Sequence, residues 1–276
     1  MHEKQLKTLE LAGRIQYFTI GHLFQAGIYT TPTKTTARIH LRDLSASGFL
    51  TESHYGVTRG FGRLPTLYGL TPKAVRYLVE YEGHLIDGIK ASKSRKNQDY
   101  ETKAPADYFH RVGVLDSVLA ILLMLDTKGT REGLLELYFR RYGMHEPRRT
   151  AIELESGRLE PDAVLSFVGD GAKTRLYLFE FFEDSTNSER AQRTVLRHAE
   201  AIHTGAPSTA LGLSVGHRVL LVFRHEHTAR AVMNFVKVTP ALAAVADRFL
   251  WKTHESIVKD AFDHWATANG ARIGIY

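Results

Sequence analysis

The feature that most constrains this chain is residues 88–106 (GIKASKSRKNQDYETKAPA), poor in apolar side chains and rich in Lys, Ser, Asn and Gln. Such a stretch buries too little surface to offset the entropy of ordering it. A chain interrupted there must build two separate cores. The expected division is a domain at 1–87, a connector at 88–106 and a domain at 107–276. Charge follows the same cut. Residues 1–104 carry 15 Lys and Arg against 9 Asp and Glu, a net of +6, whereas residues 105–276 carry 21 of each. A polyanionic partner is therefore expected of the first part and not of the second.

Apolar residues make up 43% and charged residues 24%, which is ordinary for a folded soluble protein and excludes collagen-like and broadly disordered classes. With no cysteine, the chain forms neither disulfides nor thiolate metal sites. Residues 1–8 are polar and charged with no apolar run behind them. The longest apolar run, 112–125, contains Asp116 and is shorter than a bilayer span. These features set cytoplasm as the expected location.

Hydrophobic spacing predicts helices at 6–18, 20–26 and 33–46 in the first part, with Gly27 between the second and third and Pro32 favourable near the third start. Ala37, Leu41 and Leu44 follow helical spacing and face a core, which leaves Thr35, Arg38 and Arg42 on another stripe with Thr36 beside it. Extended segments at 49–55 and 66–70 flank the glycine-rich connection 56–65, which holds Arg59 and Arg63, and a further helix is expected at 72–81. Helix, short helix, polar-faced helix and glycine-tipped hairpin is the order of a winged helix-turn-helix. In such a module Thr35, Thr36, Arg38 and Arg42 face base edges in the major groove, and Arg59 and Arg63 lie along neighbouring phosphates. The expected partner is double-stranded DNA.

The second part opens with a long apolar helix, 107–125. Two alternating segments, 162–168 and 174–182, are then joined through an Asp170-Gly171 turn. Folding about that turn sets Asp162 opposite Glu180, on one face of the sheet. A helix at 186–202 with a capping-box start, a buried strand at 217–224, a helix at 228–235 and a final helix at 253–268 complete the pattern. This α/β arrangement matches the skeleton of a PD-(D/E)xK nuclease core, in which two carboxylates on adjacent strands hold Mg²⁺. Asp162 and Glu180 are the candidate catalytic and metal-binding residues, with an upstream acid at Glu136 or Glu153. A lysine two places after the second acid normally completes the site. Here that position is Phe182; Glu183 and Asp184 are candidates for further acids, and Arg190, Arg193 and Arg197 on the next helix for a relocated cation. No cofactor is expected, with Mg²⁺ required only if the site is active.

His225-Glu226-His227 reads as a solvated loop, and His198 and His203 are five apart, off the spacing that puts two ligands on one helix face. Neither a phosphate-binding G-x-x-x-x-G-K-[ST] run nor a G-x-S-x-G elbow is present.

The order T-A-R-I-H-L-R-D-L (36–44), G-F-L (48–50), L-Y-G-L-T-P (67–72), His110, E-P-D-A-V-L (160–165) and L-F-E (178–180) resembles the replication-relaxation family of bacterial plasmid replication and mobilisation proteins. The resemblance spans most of residues 10–240. It implies DNA binding in replication, transfer or their control, partners among plasmid transfer or replication proteins, and, for related relaxases, nicking at an acidic site. An acidic residue common two places after Glu180 is replaced here by Phe182, which implies a degenerate nuclease-like domain serving homodimerisation or partner docking.

Overall fold

The computed structural model describes residues 1–58, 62–81, 83, 108–130, 132–139, 150–183 and 188–276. The chain is mixed α+β and divides into two compact units, Met1–Leu115 and Asp116–Tyr276. The connector expected at 88–106 lies outside the described residues.

In the first unit, α1 (Glu3–Ile15) starts at His2, whose side chain accepts from the Lys4 N–H, and ends at Gln16, φ 68°. The spacing predicts a helix running to residue 18. Instead the left-handed turn at Gln16 releases Tyr17–Phe18 as a strand, β1, which pairs antiparallel with β5 (Leu67–Leu70). Helix α2 (Ile20–Gln25) follows, then Gly27 at φ 66° and a tight turn over Thr31–Thr33. There Thr33 Oγ1 accepts from Thr30 N–H and donates to Thr30 O, both at 2.9 Å, fixing the entry to α3 (Lys34–Ala46).

At the end of α3, Gly48 takes φ 71° while Phe49 N–H reaches Leu44 O at 2.8 Å and Gly48 N–H reaches Ser45 O at 2.9 Å. These paired bonds satisfy carbonyls that the last helical turn leaves open. Strand β2 (Leu50–Ser53) pairs with β5, giving a three-stranded sheet in the order β1-β5-β2 where two strands were expected. Between β2 and β5, the connection read as turns carries a small hairpin of β3 (Val57–Thr58) and β4 (Gly62–Arg63). Helix α4 (Pro72–Glu80) is capped by Thr71 and buries Ala74 and Leu78, while Leu9, Ile15, Phe18, Leu41 and Leu44 are buried elsewhere in the unit.

The division between units falls within α5 (Tyr108–Thr127). The run at 112–125 is too short to cross a bilayer by itself, but α5 has 20 residues and passes that test by length and composition; 61% of its apolar window is buried, as in a core helix.

The second unit is built on one seven-stranded sheet. Strands β6 (Glu132–Leu137), β9 (Ala163–Val168) and β10 (Thr174–Phe182) form an antiparallel meander, with the small hairpin β7 (Ile152–Leu154) and β8 (Gly157–Leu159) inserted before β9. Helix α6 (Ser188–Thr204) and the short α7 (Ala206–Ala210) lead to β11 (His217–Phe223), parallel to β10. Helices α8 (Glu226–Val238) and α9 (Pro240–Ala243) lead to β12 (Phe249–Thr253), parallel to β11. Successive crossovers in one direction with the usual right hand place their helices on the same face. Accordingly Ala191, Val195 and Ala199 of α6 share one apolar cluster with Val232 and Val236 of α8 and with Val219, Leu221 and Phe223 of β11.

The helix expected at 253–268 stops early. Helix α10 (His254–Lys259) ends where the Asp260 carboxylate accepts from the N–H groups of Phe262 and Asp263. His264 then takes φ 61°, and the chain re-enters the sheet as β13 (Trp265–Thr267) and β14 (Arg272–Ile273), giving the order β14-β13-β12-β11-β10-β9-β6. A carboxylate that satisfies two following N–H groups offers the backbone a turn in place of the next helical bonds.

Candidate functional site

Two places carry the residues singled out from the sequence. In the first unit, α3 buries Ala37, Leu41 and Leu44, and Thr35, Thr36, Arg38 and Arg42 are all exposed. His40 holds the helix from its flank, its Nδ1 lying 2.8 Å from the Tyr29 hydroxyl of the preceding turn. Arg42 Nε sits 4.0 Å from Asp43 Oδ1 with both side chains well exposed, a pairing too solvated to fix the guanidinium. Arg63 is exposed on β4 opposite Val57, whereas Arg59 lies outside the described residues.

In the second unit, Phe179 pairs with Ala163, so one step further along the ladder Glu180 faces Asp162, as the hairpin register predicts. Asp162 is held at both ends: its carbonyl accepts from Tyr138 N–H at 2.9 Å and its Oδ2 from Phe181 N–H at 2.7 Å. Glu136 on β6 pairs with Val164, on the same sheet face as Asp162 and diagonal to it, and is buried. Glu153, the other candidate acid, is exposed on β7 and paired with Arg158 at 2.8 Å. Between the two, only Glu136 joins the face of Asp162 and Glu180.

The group in contact with Glu180 is one that the sequence reading set aside. His198 Nε2 lies 2.7 Å from Glu180 Oε1, and both side chains are buried. Its signal was available: His198 falls on the apolar stripe of α6 with Ala191 and Val195, a polar residue in line with the core. Burial raises the Glu180 carboxyl well above its ordinary range, the Asp162 charge adds to this, and Arg190 opposes it. Burial drives the His198 imidazole down to about 3, and His217, itself pushed down to about 4 chiefly by burial, contributes. Burial thus pushes both members of the pair toward their uncharged forms.

Around it, Phe182 fills the usual lysine position with a ring stacked on Phe223 at 4.9 Å between centroids. Glu183 turns to Arg224, 2.9 Å away, and Asp184 lies outside the described residues. Arg190, Arg193 and Arg197 are exposed on α6, and Arg190 is the one whose charge acts on Glu180. His225-Glu226-His227, read as a loop, is the start of α8, with His225 at the cap position and Glu226 paired to Arg230 at 2.8 Å.

Among the described residues no group of three or more His, Asp or Glu side chains is arranged to hold a metal ion. Mg²⁺ takes oxygen ligands, and at this face Oε1 of Glu180 is already engaged by His198 Nε2 at 2.7 Å, so a cation here would have to share or displace that contact.

These burials set an expected pH dependence. The unfolded chain protonates its histidines near 6.5 and the folded one only near 4 at His217, so the stability that neutral His217 gives is present above pH 6.5 and is lost as pH falls. Glu180 has the opposite sign: its raised pKa makes stability fall as pH rises above the ordinary carboxyl range. In urea unfolding, the advantage of wild type over His217→Gln should grow from pH 5 to pH 7, and wild type should lose ground to Glu180→Gln over the same interval. Differences that do not change with pH would contradict these effects of burial on His217 and Glu180.

No protein-family model, curated protein or solved structure matches this chain.

Proposed function

We propose that this chain is a cytoplasmic double-strand DNA-binding protein of a bacterial plasmid or other mobile element, acting in replication, in relaxation and transfer, or in their regulation. The first unit is read as a winged helix-turn-helix. Its α2 and α3 form the helix pair, α3 enters the major groove, and the β3–β4 hairpin with Arg63 is the wing lying on phosphates. One observation carries the reading: Thr35, Thr36, Arg38 and Arg42 all stand exposed on α3, whose apolar stripe is fully used by the core. The hairpin that follows belongs to the part of the chain holding the whole positive excess.

The second unit, with its order of helix, three-stranded meander, helix and parallel strand, is read as a nuclease-like domain that has given up catalysis and serves homodimerisation or docking of other plasmid transfer or replication proteins. The Phe182 ring and the Glu180–His198 pair support that reading. The resemblance to the replication-relaxation family is part of the same proposal. Selection of bound fragments from plasmid or genomic DNA tests it: enrichment of one locus is the expected result and assigns the process, and an unenriched pool at low salt would contradict it.

A second reading, a metal-dependent nicking endonuclease using Asp162 and Glu180, is favoured by their shared face and register. Incubating supercoiled plasmid with Mg²⁺ or Mn²⁺ decides between the two. Because Asp162 also closes the hairpin through Phe181 N–H, the control is Asp162→Asn, which retains an acceptor oxygen there. We expect no relaxation; relaxation that disappears in the variant would establish the enzyme.

A further inference from the structure

The outward face of α3 contains one large aliphatic side chain, and we propose that Ile39 reads the 5-methyl group of a thymine, so that the preferred duplex carries thymine beside the base pairs met by Arg38 and Arg42. The inference rests on the DNA-binding reading above and names what that surface selects.

At about 100° per residue, Ala37, Leu41 and Leu44 define the core-facing direction of α3, and the opposite direction falls between Thr35 and Ile39, within about 30° of each. Arg42 and Arg38 flank it on one side, Asp43 and Thr36 on the other. Ile39 thus stands at the middle of the outward face, 41% exposed. Local helix formation gives no reason for it there, because a β-branched side chain is a weaker helix former than Lys, Arg or Glu. It offers no hydrogen bond to water or phosphate. The aliphatic group that the major groove presents at a base edge is the thymine methyl, which distinguishes thymine from cytosine without a hydrogen bond. The neighbouring arginines supply the complementary chemistry, bidentate pairing with guanine. The face therefore matches a mixed site of guanine and thymine better than a run of either alone.

Duplexes bound by the full chain are selected from a random pool, and the best is resynthesised with each thymine replaced in turn by deoxyuridine, which removes only the methyl group. At one or two positions replacement should weaken wild type by about three- to fivefold, the worth of burying one methyl. Ile39→Ala, which keeps a good helix former at an exposed position, should bind the thymine and uracil duplexes alike. Wild type indifferent to every replacement, or Ile39→Ala still preferring thymine, overturns the role of Ile39 and leaves DNA binding standing. No enriched duplex and no binding at low salt overturns both.

Discussion

Replacing Arg38 and Arg42 together by alanine is expected to weaken binding to the selected duplex by about 100-fold or more, with a much smaller loss on random competitor DNA. Each bidentate arginine–guanine pair discriminates by about 1–3 kcal/mol, and the proposed DNA-binding mode would place two such pairs on the same site. Both side chains are exposed while Ala37, Leu41 and Leu44 hold α3 to its core, so the double variant keeps the fold. Gel-shift titration at one fixed salt concentration is the measurement, since phosphate contacts make affinity fall steeply with salt. Arg63→Ala, on the hairpin, should instead weaken all sequences alike. An unchanged affinity of the double variant for its selected site would sink the assignment of α3 as the reading helix.

The second large effect is on stability. His198→Ala removes a fully buried ring and leaves the Glu180 carboxyl buried without its partner. A cavity and an unsatisfied polar group together should cost about 3–5 kcal/mol. Trp251 and Trp265, the two tryptophans of the chain, both lie in the second unit, so fluorescence during urea unfolding reports on that unit alone. His198→Gln, which keeps a hydrogen-bonding group, should lose less. An unfolding midpoint in His198→Ala equal to wild type would mean that the pair contributes nothing.

The sequence was most informative where one local rule acted alone. The Asp170-Gly171 turn and two strands of matching pattern were enough to place Asp162 opposite Glu180. The stripe of Ala37, Leu41 and Leu44 was enough to orient α3. Reading failed where distant pairing overrode local preference. Tyr17–Phe18 continues a helical pattern yet becomes a strand because β5, some fifty residues later, offers it partners. In 253–268, Ile257, Ala261 and Trp265 keep helical spacing, but Asp260 offers the backbone a turn and β12 recruits Trp265–Thr267. Gly129 ends α5 just before β6, but only the pairing of β6 with β9 reveals that Glu136, not Glu153, joins the acidic face. His198 is off the spacing of a ligand pair with His203, and its line-up with the apolar stripe of α6 marks it as a core residue.

The bond from Phe181 N–H to Asp162 Oδ2 also bears on the order of assembly. The β9–β10 hairpin, like β13–β14, is a local pairing that closes a short loop, whereas β11 and β12 join the sheet only through helical crossovers. A side chain that clasps the open end of the hairpin, opposite its turn, pins the strands in phase before those later strands arrive. A slip of one residue would turn Asp162 and Glu180 to the other side of the sheet. The aspartate before β9 thus serves as a register pin, which gives folding its own reason to require an acceptor at that position.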